Sequence, residues 1–184
     1  PLPRGSGFQF RSAVVGGAIP GSLIPAVEKG VREALAAGAI AGFPIVDLKV
    51  VVTDGKHHPV DSKEIAFVTA GRKALLAAAR EAQPVVMEPI VDLEVKVPQE
   101  AMGSVTGDLA GRRGRVLGTR ALPHGHIVVQ GQAPLGELDD YPERLKAMTG
   151  GSASYTLELA QYEPVPEALQ RALSGAFRRG ADDD

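Results

Sequence analysis

Apolar residues fall in two rhythms along this chain, one of period two and one near 3.6, and the switches between them outline its elements. Phe8-Gln9-Phe10 opens a strand that reads on to about Val15, where Gly16-Gly17 breaks it. From Ser22 to Ala37, Ile24, Val27, Val31, Ala34 and Leu35 recur at helical spacing. Pro25 falls in the first turn, where a missing N–H costs nothing, and Gly38 is a natural C-cap. Ile45 to Thr53 alternates again, with Val46, Leu48, Val50 and Val52 on one face and Asp47, Lys49 and Thr53 on the other. A turn follows, after which Asp61 or Ser62 caps a second helix; Asp61-Ser62-Lys63-Glu64 reads as a capping box. The buried stripe of that helix is Ile65, Val68, Leu75, Leu76 and Ala79, and it ends near Ala82.

Gln83-Pro84 marks a boundary, because the residue before a proline disfavours helix. Beyond it Val91, Leu93, Val95 and Val97 alternate with Asp92, Glu94 and Lys96 as a strand. Pro98 starts a helix carrying Met102, Val105 and Leu109 on one side. Arg115 to Leu122 and Ile127 to Ala133 flank the turn Pro123-His124-Gly125 as a hairpin. Pro134 to Met148 is a further helix, and Tyr155, Leu157 and Leu159 alternate in a last strand. Strand, helix, strand, strand, helix, strand is the order of a ferredoxin-like βαββαβ module. The fold class is therefore α/β (α+β) in two modules, 1–84 and 85–166, with a terminal helix from Pro166 to Phe177 and an acidic tail occupying 167–184.

Composition narrows the classes. At 44% hydrophobic and 23% charged residues the chain has a globular core, and no apolar run nears the roughly 18 residues that span a bilayer. It holds no cysteine, which excludes disulfide scaffolds, thiolate zinc sites and thiol nucleophiles, and fits a cytoplasmic setting. Residues 1–86 carry ten Lys/Arg against seven Asp/Glu, and residues 87–184 carry ten against fifteen, so neither half binds nucleic acid on net charge alone. The Pro/Gly-rich opening, without methionine or an apolar signal region, reads as the C-terminal part of something larger.

The chain has no Gly-x-x-x-x-Gly-Lys-Ser/Thr loop and no Gly-x-Ser-x-Gly elbow, and Gly103, Gly107, Gly111 and Gly114 are not spaced as a dinucleotide fingerprint. No bond chemistry is therefore expected of this chain itself. What stands out is the turn Asp54-Gly55-Lys56-His57-His58-Pro59, an exposed basic tip between strand and capped helix, suited to an anionic partner. His57-His58 and His124-Gly125-His126 read as loop histidines, not metal ligands, because adjacent histidines rarely converge without a third donor and the pairs lie in different modules. Arg112-Arg113-Gly114-Arg115 reads two ways: a guanidinium clamp for phosphates, or a solvated helix C-terminus whose cations offset the dipole. The strand His126 to Gly131 has no aromatic, so the base-stacking platform of an RNA-recognition motif is absent.

Several longer runs are familiar. Val14-Val15-Gly16-Gly17-Ala18-Ile19-Pro20 and Ile24 to Leu35 closely resemble the fourth domain of bacterial elongation factor G. Asp54-Gly55, His58, Val60-Asp61-Ser62 and Glu64 resemble that domain's tip loop. Asp108-Leu109, Arg112-Arg113-Gly114 and Val116-Leu117-Gly118 are similar to the first helix and next strand of its fifth domain. His57 and Pro59 depart from the family's usual aromatic and acid, and the segments 138–144 and 149–154 resemble the divergent elongation-factor-G-like form.

The resemblance implies a ribosomal-protein-S5-domain-2-like first module and a ribosome-associated GTPase parent. Its GTP and Mg would be held upstream, and its partner Gly-Arg-Gly tip loop would precede Pro1. On that basis Asp54, Gly55, Lys56, His57 and His58 form a tip that reaches the tRNA–mRNA in the decoding region, His58 matching the family's tip histidine. Arg112, Arg113 and Arg115 are implied to face ribosomal RNA, and the parent to be a cytoplasmic monomer that engages no membrane and promotes translocation. A ribosome-protection or ribosome-assembly GTPase, or an interaction module without translocase activity, are the alternatives.

Overall fold

The structure, a computed structural model, describes residues 1–58 and 62–182, with side chains described through Phe177. The chain forms two compact units: Pro1–Val86 together with Pro166–Asp184, and Met87–Val165.

In the first unit β1 (Phe8–Ser12) pairs in parallel with β2 (Leu48–Val52), Phe8 opposite Leu48 and Ser12 opposite Val52. A parallel pair needs a crossover, and α1 (Ile24–Ala37) supplies it. Pro25 sits in the first turn, and the Gly38 N–H closes the helix on Ala34 O. After β2 the chain enters α2 (Glu64–Glu81), which packs on α1.

That packing is unusually close. A Cβ built at Gly30 would overlap the Val68 carbonyl, and one at Gly71 would lie 2.5 Å from Val27 O. Each helix thus presents a glycine to the other's backbone. Around the crossing, Ile19, Ala26, Val27, Phe67 and Val68 form one core cluster. Val31, Ala34, Leu35 and Leu75 form another, with Phe8, Phe10, Leu48 and Val50 against it.

Three expectations for this unit are corrected. β1 ends at Ser12, and Val15 is 80% exposed, because the chain leaves the sheet before the Gly16-Gly17 turn. Val46 is exposed and β2 starts only at Leu48, since Asp47 adopts a positive φ of 59° that breaks the alternation. Ile65 is 66% exposed while Phe67 and Gly71 are buried, because the glycine crossing and not the largest side chains sets which face of α2 turns inward.

In the second unit β3 (Met87–Pro98) leads through a 3-10 turn into α3 (Met102–Gly111). The hairpin β4 (Arg115–Leu122) and β5 (His126–Pro134) follows, then α4 (Tyr141–Thr149) and β6 (Ser154–Pro164). The sheet order is β4-β5-β3-β6, antiparallel throughout, the ferredoxin-like arrangement expected. Leu93, Val95, Val97 and Val129 pack from one face of the sheet against Val105, Leu109, Tyr141 and Leu145.

The helix expected from Pro134 to Met148 is two pieces, a 3-10 turn at Leu135–Glu137 and then α4, because Pro142 belongs in a first turn and restarts the helix. Leu157 and Leu159 stay 39% and 56% exposed, since β6 is an edge strand. The last helix, α5 (Glu167–Asp182), returns to the first unit: Gln170 Oε1 accepts from the Val86 N–H at 3.1 Å, and Phe177 lies beside Gly42.

Replacing Gly30 with alanine should destabilise the first unit by more than about 2 kcal/mol, although alanine is the better helix former by about 1 kcal/mol. Chemical denaturation of the Gly30→Ala chain checks this. An unchanged or higher midpoint would contradict the backbone contact.

Candidate functional site

Because β1 and β2 run parallel, their C-terminal ends open at the same end of the first unit, as do the N-termini of α1 and α2. In α/β units ligands gather at the carboxyl ends of parallel strands, where helix N-termini add positive partial charge. Two loops meet there: 13–20 after β1, and 53–58 after β2.

Their junction is built from specific bonds. His57 Nδ1 donates to Ala18 O at 3.2 Å, which requires the proton on Nδ1 and ties the second loop to the first. A Cβ at Gly55 would lie 2.5 Å from Ile19 Cδ1, so only glycine lets the turn settle on that buried isoleucine. Asp54 Oδ1 accepts from the Gly55 N–H at 2.8 Å, fixing the entry. The His58 N–H donates to Ser62 Oγ at 2.7 Å, and the Ser62 N–H returns to His58 O at 3.1 Å.

Ser62 therefore closes the turn and does not cap α2, whose N-cap position is Lys63 without a side-chain bond. Asp61 lies outside the described residues, as do Pro59 and Val60. Lys56, His57 and His58 are exposed. So is Val15, in the partner loop, whose role the sequence signalled only as a Gly-Gly break. The arrangement offers hydrogen-bond donors, a point charge and one apolar side chain on a pinned platform.

The second candidate cluster is built differently. Arg112 Nε donates to Asp108 Oδ2 at 2.7 Å, and its Nη1 donates to Glu137 O at 2.6 Å and to Asp140 Oδ1 at 2.5 Å. Its guanidinium lies 5.3 Å over the Tyr141 ring, and the side chain is only 13% exposed. Arg113 forks onto Glu88 at 2.7 and 2.8 Å and donates to Glu137 Oε1 at 2.9 Å. Arg115 bonds Gln132 Oε1 at 2.9 Å and Glu163 Oε1 at 3.2 Å, and Arg144 donates to Asp108 Oδ1 at 3.1 Å.

These cations thus tie β3, α3, the 3-10 turn and α4 together. A solvated helix end is one of the two local readings of this stretch, but Arg112, nearly buried, is held inside the network instead. Hydrogen bonding to Asp140 holds the Arg112 guanidinium still more firmly charged, and Glu88 does the same for Arg113. In return Arg112 depresses the Asp140 carboxyl, and burial pushes the Tyr141 phenol up to about 12.

His124 and His126 sit on the β4–β5 hairpin, His126 Nδ1 bonding His124 O at 3.1 Å. Among the described residues no group of three His, Cys, Asp or Glu could hold a metal ion, and no helix is long and apolar enough to cross a membrane.

A βαβα unit whose two loops are tied together at one end, followed by a ferredoxin-like unit, defines a two-domain α/β module. Residues 1–83 match the model of elongation factor G domain IV, and residues 85–173 that of the elongation factor G C-terminus. An elongation factor G-like protein of Mycobacterium tuberculosis (strain CDC 1551 / Oshkosh) is 48% identical over 96% of this chain and 25% of its own length. One of Thermotoga maritima is 41% identical over 97% of this chain and 26% of its own. A solved protein of Thermus thermophilus superposes with a TM-score of 0.78 at 38% identity, over 95% of this chain and 26% of that one. The chain belongs to the elongation factor G family. It spans about a quarter of the length of these relatives.

Three outcomes follow from the geometry. Arg112→Ala should cost the second unit about 3 kcal/mol, because Asp108 is left nearly buried with less than its full set of partners. The Asp140 share of that clasp is present above about pH 4 and is lost as pH falls through its depressed pKa. Thermal unfolding between pH 3 and 7 should therefore show Asp140→Asn blunting the acid loss; an identical pH profile would contradict the pairing. At the tip, His57→Ala should drop backbone order parameters of Gly17, Ala18 and Gly55 from about 0.85 towards 0.6 with little loss of global stability. Unchanged values would remove the latch.

Proposed function

We propose that this chain is the ribosome-engaging part of an elongation-factor-G-like translation GTPase, and that its first unit carries the tip toward the tRNA–mRNA in the decoding region to promote translocation. The observation that carries this reading is the pinned tip. Two loops are locked by the His57–Ala18 and His58–Ser62 bonds while Lys56 and His58 stay exposed at an end that both helix N-termini share.

Membership of the elongation factor G family supports the choice of partner. A rigid tip loses little entropy on contact, so each hydrogen bond to ribose or phosphate keeps its modest worth of about 1 kcal/mol, or up to about 3 kcal/mol where one partner is charged. The driving energy belongs to GTP and Mg in the upstream part of the parent; the residues of this chain form no phosphate loop for them. Asp54, Gly55 and His57 shape the tip, while Lys56 and His58 make the contact. Arg112, Arg113 and Arg115 serve the reading by holding the second unit in shape.

A second reading, in which the tip displaces a ribosome-bound ligand without moving tRNA, draws support from His57. In the proposed scheme the Nδ1 of this residue is spent on the latch.

In the full-length parent, His58→Ala should slow a ribosome-dependent step by roughly 5- to 100-fold, the equivalent of about 1–3 kcal/mol, without changing GTP affinity. Single-round stopped-flow translocation reads it. An unchanged rate would remove His58 from the contact, and ligand release without tRNA movement would select the second reading.

A further inference from the structure

The cations of the second unit divide into two groups. Among the described residues, Arg112, Arg113, Arg115 and Arg144 are each bonded to a carboxylate of the same unit. Lys96 and Arg120, both exposed, enter none of these pairs. They stand in one row of the sheet, since Val128 on β5 is the register partner of Lys96 on β3 and of Arg120 on β4.

The neighbouring row fixes which face they share. Val95, Val129 and Thr119 are partners, and Val95 and Val129 belong to the core, so Lys96, Val128 and Arg120 lie on the opposite, helix-free face. Two strand spacings put the cations' backbones about 10 Å apart. Val128 between them is only 5% exposed, as a valine is when long aliphatic stems flank it on both sides.

Charge on this face is sorted along the strands. Away from the hairpin, Glu94 and Asp92 accept from Gln130 Nε2 at 2.6 Å and Gln132 Nε2 at 2.7 Å, and Arg115 bonds Gln132 and Glu163. Toward the hairpin, the Lys96 row continues to Ser154 on β6, and the next row holds Leu122, His126 and Pro98. Neither row contains a carboxylate. His124 stands at the turn just beyond.

We infer that this hairpin end of the open sheet face, centred on Lys96 and Arg120, is a contact surface for the phosphate backbone of a structured RNA. The inference rests on the ribosome-engaging reading and adds to it a surface separate from the tip. This end of the face has no aromatic side chain for stacking bases and no exposed large apolar anchor of the kind a protein partner needs, while two long cations over a flat sheet suit sequence-independent phosphate contact.

The test measures binding of the 184-residue chain to purified ribosomes by fluorescence anisotropy across a salt series. Lys96→Gln/Arg120→Gln should lower affinity roughly 10- to 100-fold near 0.1 M salt and reduce the log–log salt slope by about two. Lys146→Gln, another exposed cation of this unit, should leave the slope unchanged, and the charge-preserving exchange Lys96→Arg/Arg120→Lys should restore binding. Thermal unfolding confirms that each variant stays folded.

If the unaltered chain binds and the double variant binds equally, this surface is overturned while the ribosome-engaging reading stands. If the unaltered chain does not bind, both fall. Loss of binding in the charge-preserving pair would overturn the electrostatic role. Polyglutamate competing as well as an RNA duplex at equal charge would overturn the assignment to RNA.

Discussion

Two helices meet backbone to backbone at Gly30 and Gly71, and the first unit's working end depends on that crossing. With no side chain between them, α1 and α2 close over β1 and β2 as a thin layer whose core is mostly Val, Leu, Ala and Phe. A two-stranded sheet is marginal by itself. The helix pair is what holds its strands in register and lets both loops emerge at one end. Ile19 extends this core into the tip, where Gly55 rests on it. Packing and tip geometry are therefore continuous: the contact that stabilises the unit also sets the height at which Lys56 and His58 are presented.

The second unit solves a different problem, that of where to put its charge. Its arginine-rich turn looks like a ligand clamp when read locally, yet its guanidinium groups are occupied by Asp108, Asp140, Glu88, Glu137 and Glu163. Such a network costs desolvation and returns it through good geometry, with Arg112 also over Tyr141. What it secures is the join between the sheet and the α3–α4 layer. At the hairpin end of the open face, Lys96 and Arg120 enter none of these pairs among the described residues.

Much of this was legible in the sequence, and the parts that were not share a cause. The hairpin at Pro123-His124-Gly125 and the alternation of Val91 to Val97 are local signals, and both elements formed where expected. Long matching runs such as Val14 to Pro20 exposed the family. Asp47 broke its strand through a left-handed backbone that composition does not announce. Ile65 turned outward because a glycine on another helix decided the face. The arginines' partners lie 4 to 48 residues away in sequence, so only folding brings most of them together. The latch from His57 to Ala18 spans 39 residues for the same reason.

The central claim is that the tip enters the ribosome at the decoding region. The absence of cysteine from this chain makes a direct measurement simple, since Lys56→Cys places a single thiol at the tip within this segment. Directed hydroxyl-radical cleavage from an iron chelate on that thiol, in the full-length parent with the thiols of its upstream part replaced, reports which RNA lies nearby. Cleavage confined to small-subunit RNA around the decoding region is the predicted result. Cleavage only in large-subunit RNA, or none while the protein remains bound, would contradict the account.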